Sequence, residues 1–202
     1  MGLHSERMAR AGARLTSVDL SETSVAATRK RFEIKGLSGD IRQMDARRLD
    51  FPDEAFDFVW TWGVIHHSAQ TGVIVREIHR VLESGGQMRS MVYNLDGFPA
   101  YRKMMAGFAL GFWWGRSLDE CLWASTDGYM ARHDTVDGWQ DLLSTFFHVQ
   151  SVVTLGQDSD AVGLPRGLRH LVMKLYSGER LARKGNARGS FLFSIADKPR
   201  DR

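Results

Sequence analysis

This sequence predicts an α/β fold with a doubly wound, mostly parallel sheet. Three observations predict it. Apolar strand-like runs alternate with helix-like stretches through the first half, glycine-containing turns separate them, and no internal repeat or low-complexity linker interrupts the chain. At 202 residues the chain is long enough for one domain with its own core, so a single domain over 1–202 is expected.

Leu3 to Ala11 reads as a helix stopped by Gly12, and Leu15 to Leu20 as a short strand. Ser21 caps a second helix running to about Ile34, with Val25, Arg29 and Phe32 near helical spacing, and Gly36 breaks it. Ile41 to Met44 is a strand, followed by a polar loop from Asp45 to Ala55. Phe56 to Thr61 is a strand rich in β-favouring residues. Thr71 to Leu82 is a helix with Ile74, Ile78, Val81 and Leu82 on one face. Ser84-Gly85-Gly86 then turns the chain into a strand from Gln87 to Tyr93. Such βαβ units are right-handed, so the loops after the strands gather on one edge, where ligands bind.

After Tyr93 the rhythm changes. Residues 94–134 form an aromatic- and methionine-rich stretch without strands, placed as a cap or insert over the ligand edge. Packing of amphipathic helices on the core is the plainer reading of its composition. Thr135 to Phe146 is a helix, Val149 to Leu155 and Phe191 to Ala196 are strands, and a helix near Leu164 to Tyr176 separates them.

Bulk composition excludes several functions. Hydrophobic residues are 43% and charged residues 25%, an ordinary globular balance. No apolar run reaches the roughly 18 residues of a membrane span, and no signal peptide is visible, so no membrane partner is expected. A net charge of +3 is too small to argue for nucleic acid. The basic tail from Arg166 to Arg188 lacks the interleaved aromatics of a stacking platform and reads as solvated surface. One cysteine, Cys121, gives neither an internal disulfide nor a metal cluster, and the cytoplasm is the default compartment. Nothing in the sequence sets the oligomeric state.

Three places carry chemistry. Asp19 ends a strand before the Ser21 cap, where a carboxylate accepts from the vicinal hydroxyls of a ribose; favourable interaction with the next helix dipole is the plainer reading. Asp45 follows the next strand, positioned for an adenine amine with the Ala46 amide at the ring nitrogen, or as an ordinary loop aspartate. The third is Trp60-Thr61-Trp62-Gly63-Val64-Ile65-His66-His67. Gly63 permits close backbone approach to a ligand, and Trp60 and Trp62, two apart on a strand, share one side and offer faces to a cation.

The order Asp19, Asp45, FDFVW, GVIHH and then REIHRVLESGG resembles the class I S-adenosylmethionine (SAM)-dependent methyltransferases, especially the small-molecule subgroup that includes quinone-biosynthesis and sugar methyltransferases. The resemblance covers Met1 to about Tyr93. It implies a Rossmann-like sheet of seven strands, SAM as cofactor, and methyl transfer to a small organic acceptor. By that resemblance Gly2, Asp19, Leu20, Asp45, Ala46, Thr61, Trp62 and Gly63 bind the cofactor: Asp19 the ribose, Asp45 and Ala46 the adenine, and Thr61 to Gly63 the methionine part.

The family's E-x-G-x-G-x-G loop and first strand have no counterpart. Gly2 matches the loop's last glycine and precedes Asp19 by 17 residues, near the spacing of about 20 in related folds. The resemblance thus implies a fold lacking its first strand, and a chain that by itself is poorly stable and binds SAM weakly. His66, His67, Tyr129 and His133 are candidate bases. His66 and His67 sit in a turn typical of the family and read as structural, which leaves His133 as the candidate catalytic residue. A dinucleotide-binding oxidoreductase and a non-catalytic methyltransferase-like binding module remain open alternatives.

Overall fold

The computed structural model describes residues 1–111, 114–117, 120–121, 131–157, 160, 178–187 and 189–200. Packing divides the chain into two units, Met1–Pro52 and Asp53–Arg202, where the sequence reading has one domain.

In the first unit, α1 (Leu3–Arg10) carries Glu6, whose carboxylate accepts from Arg10 at 3.1 Å and from Arg31 at 2.8 Å. β1 (Thr16–Asp19) leads into α2 (Glu22–Lys35). The Ser21 hydroxyl caps α2 by accepting from the Ser24 amide at 3.3 Å, and Gly36 closes the helix, both as the sequence predicts. α2 is the crossover that lets β2 (Asp40–Gln43) lie parallel to β1, with Asp19 opposite Gln43. Val25, Phe32 and Ile41 form the buried core, with Ala9, Leu15 and Leu37 packed against it. Arg29 reaches from α2 to the Ile41 carbonyl at 2.6 and 3.0 Å.

The second unit begins with β3 (Phe56–Trp62) and one 3-10 turn (Ile65–His67). There follow α3 (Thr71–Val81), β4 (Leu82–Asn94), α4 (Phe98–Ala109) and β5 (His133–Asp134). Next come α5 (Val136–Ser144), β6 (His148–Leu155), α6 (Gly178–Ala187) and β7 (Phe191–Asp197). The sheet order is β3-β4-β7-β6, with β5 also paired to β4. β3 and β5 run parallel to β4, whereas β7 is antiparallel to both β4 and β6. Ile74, Ile78 and Val81 of the expected apolar face of α3 are buried, with Val75 beside them, whereas Leu82, also buried, is the first residue of β4. Thr135 caps α5 by accepting from the Gly138 amide at 3.0 Å, and α5 sinks Trp139 and Leu143 fully. The Trp139 indole donates to the Ser194 hydroxyl at 3.2 Å, and Ser194 pairs with Ser90, so a polar chain ties α5, β7 and β4 inside the core.

The structure departs from the sequence reading in four places. Among the described residues seven strands form two sheets, of two and five strands, where the resemblance implies one sheet of seven. Ser84-Gly85-Gly86 does not separate a helix from a later strand. β4 starts at Leu82, and the three residues bulge out between the pairs Phe56–Leu82 and Phe58–Gln87. The stretch 94–134 contains a strand after all, because β4 runs on past β3 and leaves Tyr93 and Asn94 to pair with His133 and Asp134. Finally, α6 at Gly178–Ala187 was not expected, while the helix expected near Leu164 to Tyr176 lies outside the described residues, as does Tyr129.

Candidate functional site

The two units each present predicted site residues at the carboxyl ends of their strands. In the first unit, the β1–β2 register places Asp19, Leu20, Asp45 and Ala46 on one edge of the parallel pair. The Met44 amide donates to the Asp19 carbonyl at 3.0 Å, and the Gln43 side chain donates to the Leu20 carbonyl at 3.1 Å, which fixes the two strand ends together. Asp19 is exposed, and its Oδ1 accepts from the Ser21 amide at 2.8 Å, orienting the carboxylate at the start of α2. Leu20 is exposed and Ala46 half-buried.

Asp45 is engaged within its own loop. Arg47 grips both carboxylate oxygens, at 2.6 to 3.0 Å, and the Arg47 amide adds a bond of 2.9 Å. These bonds hold the Asp45 carboxyl below the usual carboxylate range. Gly2 caps α1 in a left-handed conformation, with φ of 70°. A Cβ there would stand 2.7 Å from Thr28 Cγ2, and the Thr28 hydroxyl is itself anchored to the Ser24 carbonyl at 2.8 Å. Both conformation and space therefore require glycine at this position.

In the second unit, β3 ends in Thr61, Trp62 and Gly63. Gly63 has φ of 69° and donates its amide to the Met91 carbonyl at 3.2 Å. The Trp60 and Trp62 rings do lie on one side: they stack at 5.5 Å with planes 4° apart, and each approaches Phe193 at 6.1 and 6.2 Å respectively. Thr61 is buried, and its hydroxyl meets no hydrogen-bond partner among the described residues.

Just beyond, the 3-10 turn, the end of β4 and β5 assemble an aromatic cluster. His66 lies 4.3 Å from His67 and 4.1 Å from Tyr93, and Tyr93 lies 5.3 Å from His133 and 5.9 Å from Phe191, ring to ring. His66 is fully buried. Burial, with His67 and His133 beside it, pushes its pKa down to about 3, against a small opposing pull from the Met91 backbone. The turn is tied to the segment ahead of β5 by the Arg132 amide, which donates to the His66 carbonyl at 2.8 Å. Asp134, also buried, accepts from Arg132 Nε at 2.9 Å through Oδ1, while its Oδ2 has no partner.

The structure thus groups Gly2, Asp19, Leu20, Asp45 and Ala46 in one unit, and Thr61, Trp62, Gly63 and His133 in the other. Tyr93, Asp134 and Arg47 escaped the sequence reading. Tyr93 had a usable signal, since it closes a strand on the edge where ligands bind. Among the described residues no group of three or more His, Cys, Asp or Glu has metal-binding geometry.

A family profile described as a methyltransferase domain matches residues 1–89. A phosphatidylethanolamine N-methyltransferase from Cereibacter sphaeroides is 38% identical over 88 residues, which is 43% of this chain and 41% of that protein. A ubiquinone biosynthesis O-methyltransferase from Pseudomonas aeruginosa is 32% identical over 89 residues, 43% of this chain and 38% of its own length. The match therefore spans about two-fifths of either relative. Among solved structures, a SAM-dependent methyltransferase from Methanosarcina mazei superposes with a TM-score of 0.66 at 16% identity, over 98% of this chain and 87% of its own. At that identity the likeness shows the fold.

Proposed function

We propose that the protein is a class I S-adenosylmethionine-dependent methyltransferase that transfers a methyl group from SAM to a small organic acceptor. The observation that carries this reading is the matched segment laid on the geometry. In the first unit, Asp19 and Asp45 follow two parallel strands held in register; in the second, Gly63 follows β3.

When bound, SAM supplies an electrophilic methyl group on a sulfonium centre. Asp19, already oriented by the Ser21 amide, is suited to accept from the ribose hydroxyls. Within the second unit, the stacked Trp60 and Trp62 rings are suited to a cation beside them. Asp45 fits the adenine amine only after Arg47 lets go; the Ala46 amide beside it is suited to the ring nitrogen.

On the acceptor side, His66 is a poor base, because a ring with a pKa near 3 holds a proton too weakly near neutrality. His133, half-buried at the end of β5 beside Tyr93, takes the role of accepting the acceptor's proton. The aromatic composition of residues 94–134, which follow β4 in sequence, favours a small, partly apolar acceptor over nucleic acid. The two curated relatives carry acceptors of this size, a lipid amine in one and a quinone precursor in the other, by their names.

Calorimetry with SAM, and transfer of labelled methyl from SAM to phosphatidylethanolamine or to phenolic quinone precursors, tests the proposal. His133→Ala should lower turnover by about 100-fold and leave SAM affinity unchanged. Asp19→Ala should weaken SAM binding by about tenfold. Absence of SAM binding in the full-length protein overturns the proposal, and unchanged turnover in the His133 variant removes that residue from the chemistry. SAM binding without transfer to any acceptor identifies a binding module instead.

A further inference from the structure

We propose that Asp134, anchored by Arg132, is a positioning residue that sets the direction of His133. The inference rests on the reading of His133 as the group that accepts the acceptor's proton. β5 is two residues long and pairs with β4 only at Tyr93 and Asn94. So short a strand has little alignment of its own. The Arg132 amide donates to the His66 carbonyl at 2.8 Å, and the Leu95 amide to the Asp134 carbonyl at 2.9 Å, which tethers the backbone on either side of His133. Side chains add the constraint on the residue between. Arg132 Nε donates to Asp134 Oδ1 at 2.9 Å. Side chains two apart share one side only where the chain is extended. Closing this link therefore holds His133 extended and turns its ring to the other side, where it meets Tyr93 at 5.3 Å.

Stability does not account for the pair. Asp134 is buried, and its Oδ2 has no hydrogen-bond partner among the described residues. Asn94, opposite it on β4, is committed elsewhere: its amide donates to the Gly189 carbonyl at 2.8 Å, and its Oδ1 accepts from the Asp96 amide at 3.1 Å. Taking a carboxylate out of water with one oxygen unsatisfied is costly, and a bond to an arginine whose side chain is 54% exposed repays little of that cost. An apolar side chain of similar size would bury more cheaply. What the ion pair supplies is direction. The acid stands on the opposite side of the strand from the His133 ring, so it acts through the backbone of His133 and has no part in the chemistry itself.

Two measurements on the full-length protein test it: the ring contact between Tyr93 and His133 by NMR with labelled tyrosine and histidine, and methyl transfer from SAM to phosphatidylethanolamine and to catechol. Asp134→Val should abolish the contact and lower kcat by about tenfold, with KM and SAM affinity unchanged. Its thermal midpoint should stay level or rise, because removing the buried acid leaves Arg132 solvated. Arg132→Gln, at an exposed site, should repeat the loss of contact and of kcat, and it decides the matter if Asp134→Val fails to fold. Arg132→Lys, which keeps a cationic donor, should restore most of both. An unchanged contact in Asp134→Val and Arg132→Gln overturns the proposal, and this measurement needs no acceptor. So does a fall in kcat, KM and SAM affinity together, which marks the pair as structural. His133→Ala keeps the two readings apart. If its turnover drops while the link variants match the parent, only this proposal fails; if its turnover is unchanged, the role of His133 fails and this proposal with it.

Discussion

The first unit buries Val25, Phe32 and Ile41 between one helix pair and a two-stranded sheet, and carries exposed ion pairs such as Lys30–Glu33 at its surface. The second unit buries the face of a five-stranded sheet, with α3 contributing Ile74, Val75, Ile78 and Val81, and α5 contributing Trp139 and Leu143. A two-stranded sheet with so small a core is marginal by itself, whereas a sheet of this size with apolar helices packed on it supplies ample buried area. The proposed nucleoside-binding residues therefore stand on the weaker scaffold and the proposed acceptor-side residues on the stronger one. Half-bonded exposed pairs contribute little to close that gap.

The strongest test of the contrast is Phe32→Ala. It removes the largest side chain of the first unit's core, at a cost of about 3–5 kcal/mol. Hydrogen exchange should show protection lost at Val25 and Ile41 while β4 and β7 stay protected. Loss of protection in both places together would show that the units fold as one.

Acid should then act on the stronger unit. His66 is neutral when folded, and its folded pKa near 3 lies below the ordinary 6.5 that it regains on unfolding. Between those values the unfolded chain binds the extra proton, so stability is full above about 6.5 and falls as the pH drops. Going from neutrality to pH 5 should cost the second unit roughly 2 kcal/mol, read from urea midpoints. A His66→Asn variant should lose this slope; an unchanged slope would place the acid sensitivity elsewhere.

The smallest effect expected is that of Ser194→Ala. It deprives both the Trp139 indole and the Ser90 hydroxyl of a partner without opening a large cavity, and should cost about 1.5 kcal/mol in a denaturant melt of the second unit. A neutral result would mean that water replaces the lost hydroxyl.

Much of this was legible in the sequence where a feature repeats or punctuates. Ser21 and Gly36 bracket α2 as capping chemistry dictates, and the apolar spacing of Ile74, Ile78 and Val81 marks the buried face of α3. The Trp60–Trp62 stack follows from strand alternation alone. What was missed depends on partners distant in sequence or on side-chain conformation. A two-residue strand such as His133–Asp134 has no periodicity of its own and exists only because β4 outruns β3. The hold of Arg47 on Asp45 is a choice of rotamer that a strand-then-loop reading cannot contain. The depressed pKa of His66 arises from burial by Tyr93 and its histidine neighbours, brought in from two other segments.

The Ser90–Ser194–Trp139 chain also bears on how β7 finds its alignment. Along β7 the buried face reads Leu192, Ser194, Ala196. A slip of one residue against β4 is penalised by burying the wrong face, but a slip of two keeps the same face inward and passes the apolar pattern unopposed. Such a slip would set Ser90 across from Leu192 or Ala196 and carry Ser194 away from the indole of Trp139. Each polar group orphaned in the core costs about 1–3 kcal/mol. The two hydroxyls and the indole thus act as an alignment key, rejecting the two-residue slips that hydrophobicity alone would accept.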